Sequence, residues 1–346
     1  MMLMERRPVM AANFFLGGAL TFALAFVAVL SGCSGGAEWR QARGAVWNTV
    51  YTITYEGNRD MSDSIQRIFR EVELSLSPFN DSSLVSRVNR CETTAIDSLL
   101  RHVFMVSSEV CRRSGGRFDP TVSPAVNLWK FGYTGKVGAD ESWEPSQAEI
   151  DSVMEYVGIL DCRIDSAGTM HKKHPLTTFN FSAVTKGYAC DLIADMLRRN
   201  GVENAMVEIG GEVAVRGSSP RGGLWRLQID APVEETDGVP GHERLETVEV
   251  TDCGVATSGN YRNFHQSSRG RVGHTIDPLT GQPCSGPLLS VTVIAPSCAE
   301  ADAYATAAMA SPGVEEAASM LSSAGLRGIL VSASPGDSLF TVRRVE

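Results

Sequence analysis

The chain has 346 residues, 43% hydrophobic and 21% charged, and carries a formal net charge of −9. That length suits one large domain or two modest ones, and the composition is that of a globular protein rather than a disordered or fibrous one. Beyond the first few residues no run of Lys or Arg forms a basic stripe, which sets aside nucleic acid as a partner.

Arg6 and Arg7 precede an apolar stretch from Phe14 to Leu30, which meets Leu30-Ser31-Gly32-Cys33. A charged start, an apolar middle and a small-residue junction are the marks of a secretory signal over 1–32, favoured here over a membrane span. The junction resembles a bacterial lipobox. That likeness implies lipid on Cys33 and a place in the cell envelope, anchored to the membrane and facing the periplasm, with inner or outer membrane left open. Residues 33–43 are then expected to be a polar tether, and the folded domain to occupy 44–346. Seven cysteines follow Cys33 with no CxxC pair, so zinc-ribbon and thioredoxin-type readings fail. An odd number leaves at least one thiol without a partner in the chain, and no pairing is assigned.

"AVWNTVYTITYEG" (45–57) alternates β-branched and aromatic residues and predicts the first strand. From Asp60 the period changes, and Ile65, Ile68, Phe69 and Val72 share one helical face. A second helix is expected over 97–114, with Leu99, Leu100, Val103 and Phe104 inward and Gly115 as its stop. Ser146 and Glu149 form a capping box that opens a short helix ending near Gly158. Residues 134–146 read as a surface loop, "LTTFNF" (176–181) as a strand, and 186–200 as a helix stopped by Gly201. Five further strands are expected in "NAMVEIG", "EVAVRG", "LWRLQID", "TVEVTD" and "LSVTVIA", with an exposed hairpin loop over 232–246. Two helices near 299–324 and a last strand pair close the chain. Helices and strands mix without regular βαβ alternation, which predicts an α+β fold of mixed or antiparallel sheets with packed helices.

Common phosphate-binding and nucleophile-elbow patterns are missing, and Gly210-Gly211 reads as a tight turn between strands. In "CAEADAYATAAMA" (298–310), Asp302 and Thr306 stand four apart and so project from one helical face. Two hard oxygen donors there can hold a cation, although Asp302 taken alone reads more readily as a solvated helix residue. Trp129 and Phe131 read as core residues.

Six stretches together carry a resemblance: "NTVYTITY", "LSPFNDSSLVSRVN" (76–89), "GRFDPTVSPAVNLWKFG" (116–132), "NFSAVTKGYACD" (180–191), "ATSGNYRNF…VGHTIDPLTGQP" (256–283) and "SVTVIAPSCAEADAYATAAMA" (290–310). In that order they resemble the ApbE family of FAD:protein FMN transferases, over nearly all of the chain after the signal. The resemblance implies an ApbE-like fold and an enzyme that takes FAD as substrate with Mg²⁺. Such an enzyme moves FMN onto a Thr or Ser hydroxyl of an acceptor protein and releases AMP. It implies metal ligation by the Ala183 carbonyl, Asp302 and Thr306. Flavin contacts would come from Trp47, Phe79, Arg117, Phe118, Asp119, Asn180, Lys186 and Ile276. Acceptors would be subunits of membrane redox complexes of the sodium-translocating quinone reductase or Rnf type. The acceptor hydroxyl needs a base, and His274 is the candidate because an imidazole titrates near neutral pH. The small residues around Asp302 and Thr306 are expected to make room for the pyrophosphate. The chain departs from the family pattern at Asn180, where Asp is usual, at Trp47-Asn48 in the first strand, and at Ser83. Two alternatives remain at this point: an Mg²⁺-dependent FAD pyrophosphatase giving FMN and AMP, and a non-catalytic FAD-binding lipoprotein.

Overall fold

The structure is a computed structural model that describes residues 38–131, 144–232, 243–259, 264–267, 270–333 and 340–346. The signal, Cys33 and most of the loop expected over 134–146 lie outside the described residues.

The chain enters through β1 (Trp39–Val46) and β2 (Thr49–Glu56), joined by the two-residue turn Trp47-Asn48. Both turn residues have positive φ, 49° and 60°, which matches the twist of a tight hairpin. The single strand expected over 45–57 is therefore a hairpin. Likewise the tether expected over 33–43 gives way to strand at Trp39, because β1 pairs with β2 from Val46↔Thr49 out to Trp39↔Glu56. The polar residues Arg40, Gln41 and Arg43 that suggested a tether are those an edge strand carries.

The helical predictions hold where one apolar face decides them. α1 (Ser62–Leu76) buries Ile65, Ile68, Phe69 and Val72. After the short α2 (Leu84–Asn89), α3 (Ser98–Arg113) buries Leu100, Val103 and Phe104, with Leu99 half-buried. α3 stops at Gly115, φ 62°, where the Gly116 N–H returns to the Cys111 carbonyl at 2.8 Å. A six-residue helix, α4 (Ser123–Leu128), precedes α5 (Gln147–Met154), which opens on the predicted Ser146–Glu149 capping box. The two-residue strands β3 (Arg163–Ile164) and β4 (Met170–His171) form a small ladder.

No strand forms over 176–181. The Asn89 side chain takes a neighbouring strand's place: its Nδ2 donates to the Phe179 carbonyl at 2.9 Å, and its Oδ1 accepts the Phe179 N–H at 2.7 Å. The apolar alternation that suggested a strand instead buries Phe179 and Phe181, whose rings stack 5.6 Å apart. α6 (Ser182–Arg199) begins at Ser182 rather than Lys186 and stops at Gly201, φ 81°.

The rest is strand-rich: β5 (Ala205–Ile209), β6 (Glu212–Arg216), β7 (Trp225–Asp230), β8 (Arg244–Val250), β9 (Cys253–Gly259), β10 (Phe264–Ser267), β11 (Gly270–Gly273) and β12 (Leu288–Ala295). Then come α7 (Cys298–Met309), α8 (Val314–Ser323), β13 (Arg327–Ala333) and β14 (Phe340–Val345). Eight strands make one sheet in the order β1-β2-β5-β6-β9-β12-β13-β14, antiparallel at every pairing. β7–β8 and β10–β11 are separate hairpins. α6 packs on β5 and β6, α7 on β9 and β12, and α1 and α3 lie against these two helices. The α+β expectation is met, with an antiparallel sheet. Among the described residues no helix is long and apolar enough to cross a membrane.

Candidate active site

α7 is built to be enclosed. Ala301, Ala303, Ala305, Ala307 and Ala308 are all fully buried, so this helix is apolar around nearly its whole circumference. Two glycines let its first turn in: a Cβ on Gly187 of α6 or on Gly254 of β9 would overlap the Cys298 backbone. Asp191 of α6 caps that turn by accepting the N–H groups of Cys298 and Ala299, each at 2.9 Å. The small residues therefore serve close packing of the helix. They do not make room for a pyrophosphate, which corrects that expectation: Asp302, Thr306 and, past the helix end, Ala310 are what this stretch gives to the cavity.

That cavity, about 580 Å³, lies where α4, the start of α6, β6, β7, β9 and α7 converge. Of the residues expected to hold metal, Ala183, Asp302 and Thr306 all line it, and so does His274. Arg117, Phe118, Asp119, Asn180, Lys186 and Ile276 line it as well. Trp47 and Phe79 do not. Trp47 packs edge-on against Phe69 with ring centres 5.5 Å apart, and Phe79 is 66% exposed. Trp129 is core, as expected, its indole N–H donating to the Gly281 carbonyl at 2.8 Å.

The site's backbone is unusual at Ala183. Its φ/ψ of −85°/17° breaks α6 one residue after its start. The Gly187 N–H, which regular helical spacing would send to the Ala183 carbonyl, donates at 3.2 Å to Asp302 Oδ2. Helix α6 thus bends its first turn around the cavity and ties itself to α7 through a carboxylate. Asn180 fixes the entry to that turn, its Oδ1 accepting the Ser182 N–H at 3.0 Å. Asn serves here as well as Asp, because the bond needs an acceptor oxygen and not a charge.

Asp119 is committed internally: Oδ1 accepts the Thr121 N–H and hydroxyl at 2.8 and 2.6 Å, and Oδ2 accepts the Ile159 N–H at 2.9 Å. Burial pushes its carboxyl above the usual range against the pull of those bonds. Arg117 Nη1 bonds Asp277 Oδ2 at 2.7 Å and reaches the Ala310 carbonyl at 3.5 Å. Asp277 in turn caps the turn after Ile276 through the Leu279 N–H at 3.0 Å. The segment carrying His274 is thereby pinned to the segment carrying Arg117.

Sequence reasoning missed Glu212, Ser258, Asp277 and Asp191. Glu212 is 3% exposed, pairs with the Lys186 ammonium and lines the cavity, yet among the described residues its Oε2 has no hydrogen-bond partner. Burial, then repulsion by Asp302, pushes its carboxyl upward. Burial alone would lower the Lys186 pKa, but Glu212 and Asp302 outweigh it and keep the ammonium charged. Asp302, 4% exposed, is pushed upward by burial, with Lys186 pulling the other way. Ser258 shares a 3.2 Å hydrogen bond with Thr306. The one available signal for Glu212 was a carboxylate opening a strand just after Gly-Gly, in register to face inward.

The donor set suits Mg²⁺. A carboxylate, a hydroxyl and a carbonyl offered by a broken helical turn are hard oxygens, few in number, as that ion prefers when phosphate and water complete its shell. Among the described residues no group of three or more His, Cys, Asp or Glu is placed to hold a metal ion.

Residues 47–331 match the model of the ApbE family. A FAD:protein FMN transferase of Vibrio cholerae serotype O1 is 34% identical over 83% of this chain and 86% of its own length. A FAD:protein FMN transferase of Escherichia coli K12 is 29% identical over 91% and 86%. Among solved structures, the flavin transferase ApbE from Vibrio cholerae superposes with a TM-score of 0.77 at 30% identity, covering 90% of this chain and 98% of that one. The apo form of the Pseudomonas stutzeri flavinyl transferase ApbE gives 0.78 at 28% identity over 90% and 95%. With its family pattern running through the sheet, the helix pair and the cavity alike, the chain belongs to the ApbE family and is a transferase.

Proposed function

We propose that this chain transfers the FMN part of FAD onto a Thr or Ser hydroxyl of an acceptor redox protein and releases AMP. The observation that carries the reading is Asp302: a buried carboxylate with no ion pair among the described residues, set in a cavity with Thr306, Ala183, Lys186, Arg117 and His274. Burying an acid without a cation is costly, and a metal-bound pyrophosphate is the substrate that makes such a wall favourable.

In this reading Phe118 and Ile276, both buried at the cavity wall, face the flavin ring, and Lys186 and Arg117 bring positive charge to the phosphates. Asp302, Thr306 and the Ala183 carbonyl hold Mg²⁺, which when bound neutralises charge on the pyrophosphate oxygens. His274 accepts the proton of the acceptor hydroxyl as its oxygen bonds to the FMN phosphorus. The phosphorus–oxygen bond to the AMP half breaks, and AMP leaves with the bridging oxygen. Asp277 and Arg117 hold the His274 segment in place while this happens. The acceptor is a subunit of a membrane redox complex of the sodium-translocating quinone reductase or Rnf type, met at the envelope by an enzyme anchored through lipid on Cys33.

The test is to incubate the chain with FAD, Mg²⁺ and a purified acceptor domain, then measure acceptor mass and AMP. A gain of one FMN with one AMP is expected, and Asp302→Ala should lower the rate at least about a hundredfold. AMP and free FMN without labelling would replace transfer by hydrolysis, and bound, unchanged FAD would replace both by storage.

A further inference from the structure

The paired and unpaired carboxylates of this site are distributed against simple expectation. Lys186 lies within electrostatic reach of both Asp302 and Glu212. Its ammonium nevertheless pairs with Glu212 Oε1, and among the described residues Asp302 keeps a single backbone hydrogen bond, from Gly187. Both carboxylates are more than nine-tenths buried. Among the described residues Glu212 Oε2 is enclosed without a hydrogen-bond partner, and the cation that compensates its carboxylate is Lys186. If a lysine were wanted only to neutralise Asp302, a second buried acid would be pure cost. With Glu212 present, the lysine is held and the three groups carry a net charge of −1 when ionised, located at Asp302.

We propose that Glu212 is a positioning residue whose task is to hold Lys186 away from Asp302, so that Asp302 stays open to a divalent cation. This rests on reading Asp302 as a cation ligand, and it adds a residue that acts through Lys186 and not on the cation. Gly210-Gly211 explains how Glu212 gets there. Both glycines take positive φ, 61° and 101°, and turn β5 sharply into β6, so the first side chain of β6 enters the cavity wall. Removing the Glu212 charge frees Lys186 to bond Asp302, and an intramolecular ammonium then competes with the metal.

The experiment is Mn²⁺ binding to the full chain without FAD, followed by electron paramagnetic resonance of the free ion. It compares wild type, Glu212→Gln, Lys186→Met and the double variant, with thermal melts to confirm folding. Glu212→Gln should weaken Mn²⁺ binding about tenfold or more, from one unit charge released near the ligand. Lys186→Met/Glu212→Gln should return to within about threefold of wild type, because the competitor is gone. Wild-type affinity in Glu212→Gln would overturn the proposal. So would a double variant as weak as Glu212→Gln, since Glu212 would then act without Lys186. A wild type that binds no Mn²⁺ would overturn the cation reading beneath it, whereas loss of acceptor labelling with Mn²⁺ binding intact would strike the proposed function alone.

Discussion

Asp191 Oδ1 accepts the backbone N–H of Cys298 at 2.9 Å, so a side chain of α6 closes the first turn of α7. Its second oxygen takes the Ala299 N–H at the same distance, and burial pushes the carboxyl up to about 6 despite both bonds. An acid whose folded pKa is raised binds its proton more tightly in the folded chain. Its contribution to stability is therefore full below about pH 4 and is lost as pH rises through about 6. For a shift of roughly two units the change approaches about 3 kcal/mol. Asp191→Asn should thus destabilise most in acid and progressively less toward neutrality, which urea unfolding at pH 4.5 and 7.5 would measure. A pH-independent difference would contradict it.

Gly187→Ala should lower stability by about 3 kcal/mol or more, because the new methyl meets backbone and not a movable side chain. The same change pushes α7 from α6 and stretches the Gly187 N–H bond to Asp302. The urea midpoint and the FAD turnover rate should fall together. An unchanged midpoint would show that the two helices part freely.

Asn89→Ala removes both partners of the Phe179 backbone at once. Two unpaired groups beside a fully buried ring should cost about 2–4 kcal/mol. Asn89→Asp keeps the acceptor but loses the donor, and should fall between wild type and Ala in unfolding free energy. Equal stability of Ala and wild type would mean that another group pairs with Phe179.

His274→Gln should retain FAD binding, measured by flavin fluorescence, while slowing acceptor labelling by about a hundredfold or more. If labelling proceeds at the wild-type rate, the hydroxyl is deprotonated elsewhere.

Legibility of the sequence tracked locality. α1 and α3 were readable because one face carries Ile65, Ile68 and Phe69, or Leu100, Val103 and Phe104, and α5 because its capping box is four residues long. The 176–181 segment was misread because its partner is the Asn89 side chain, far back in the chain, which leaves no trace in local alternation. In the site, Asp302 and Thr306 were visible as a spaced pair, and family likeness brought Ala183, Lys186 and His274 to the same cavity. Glu212 was not visible, because its meaning depends on which carboxylate Lys186 chooses, and that is settled only by packing. The alanines of α7 were misassigned for the same reason: small side chains signal close approach, but not to what.

The Arg117 guanidinium touches Asp277 and Ala310, and the cavity around it is lined by residues spread from Arg117 to Ala310. A fragment that ends before α7 lacks Asp302, Thr306 and Ala310, and with them one wall of that cavity. Cutting the backbone anywhere between Arg117 and Ala310 divides the lining of the cavity between two pieces.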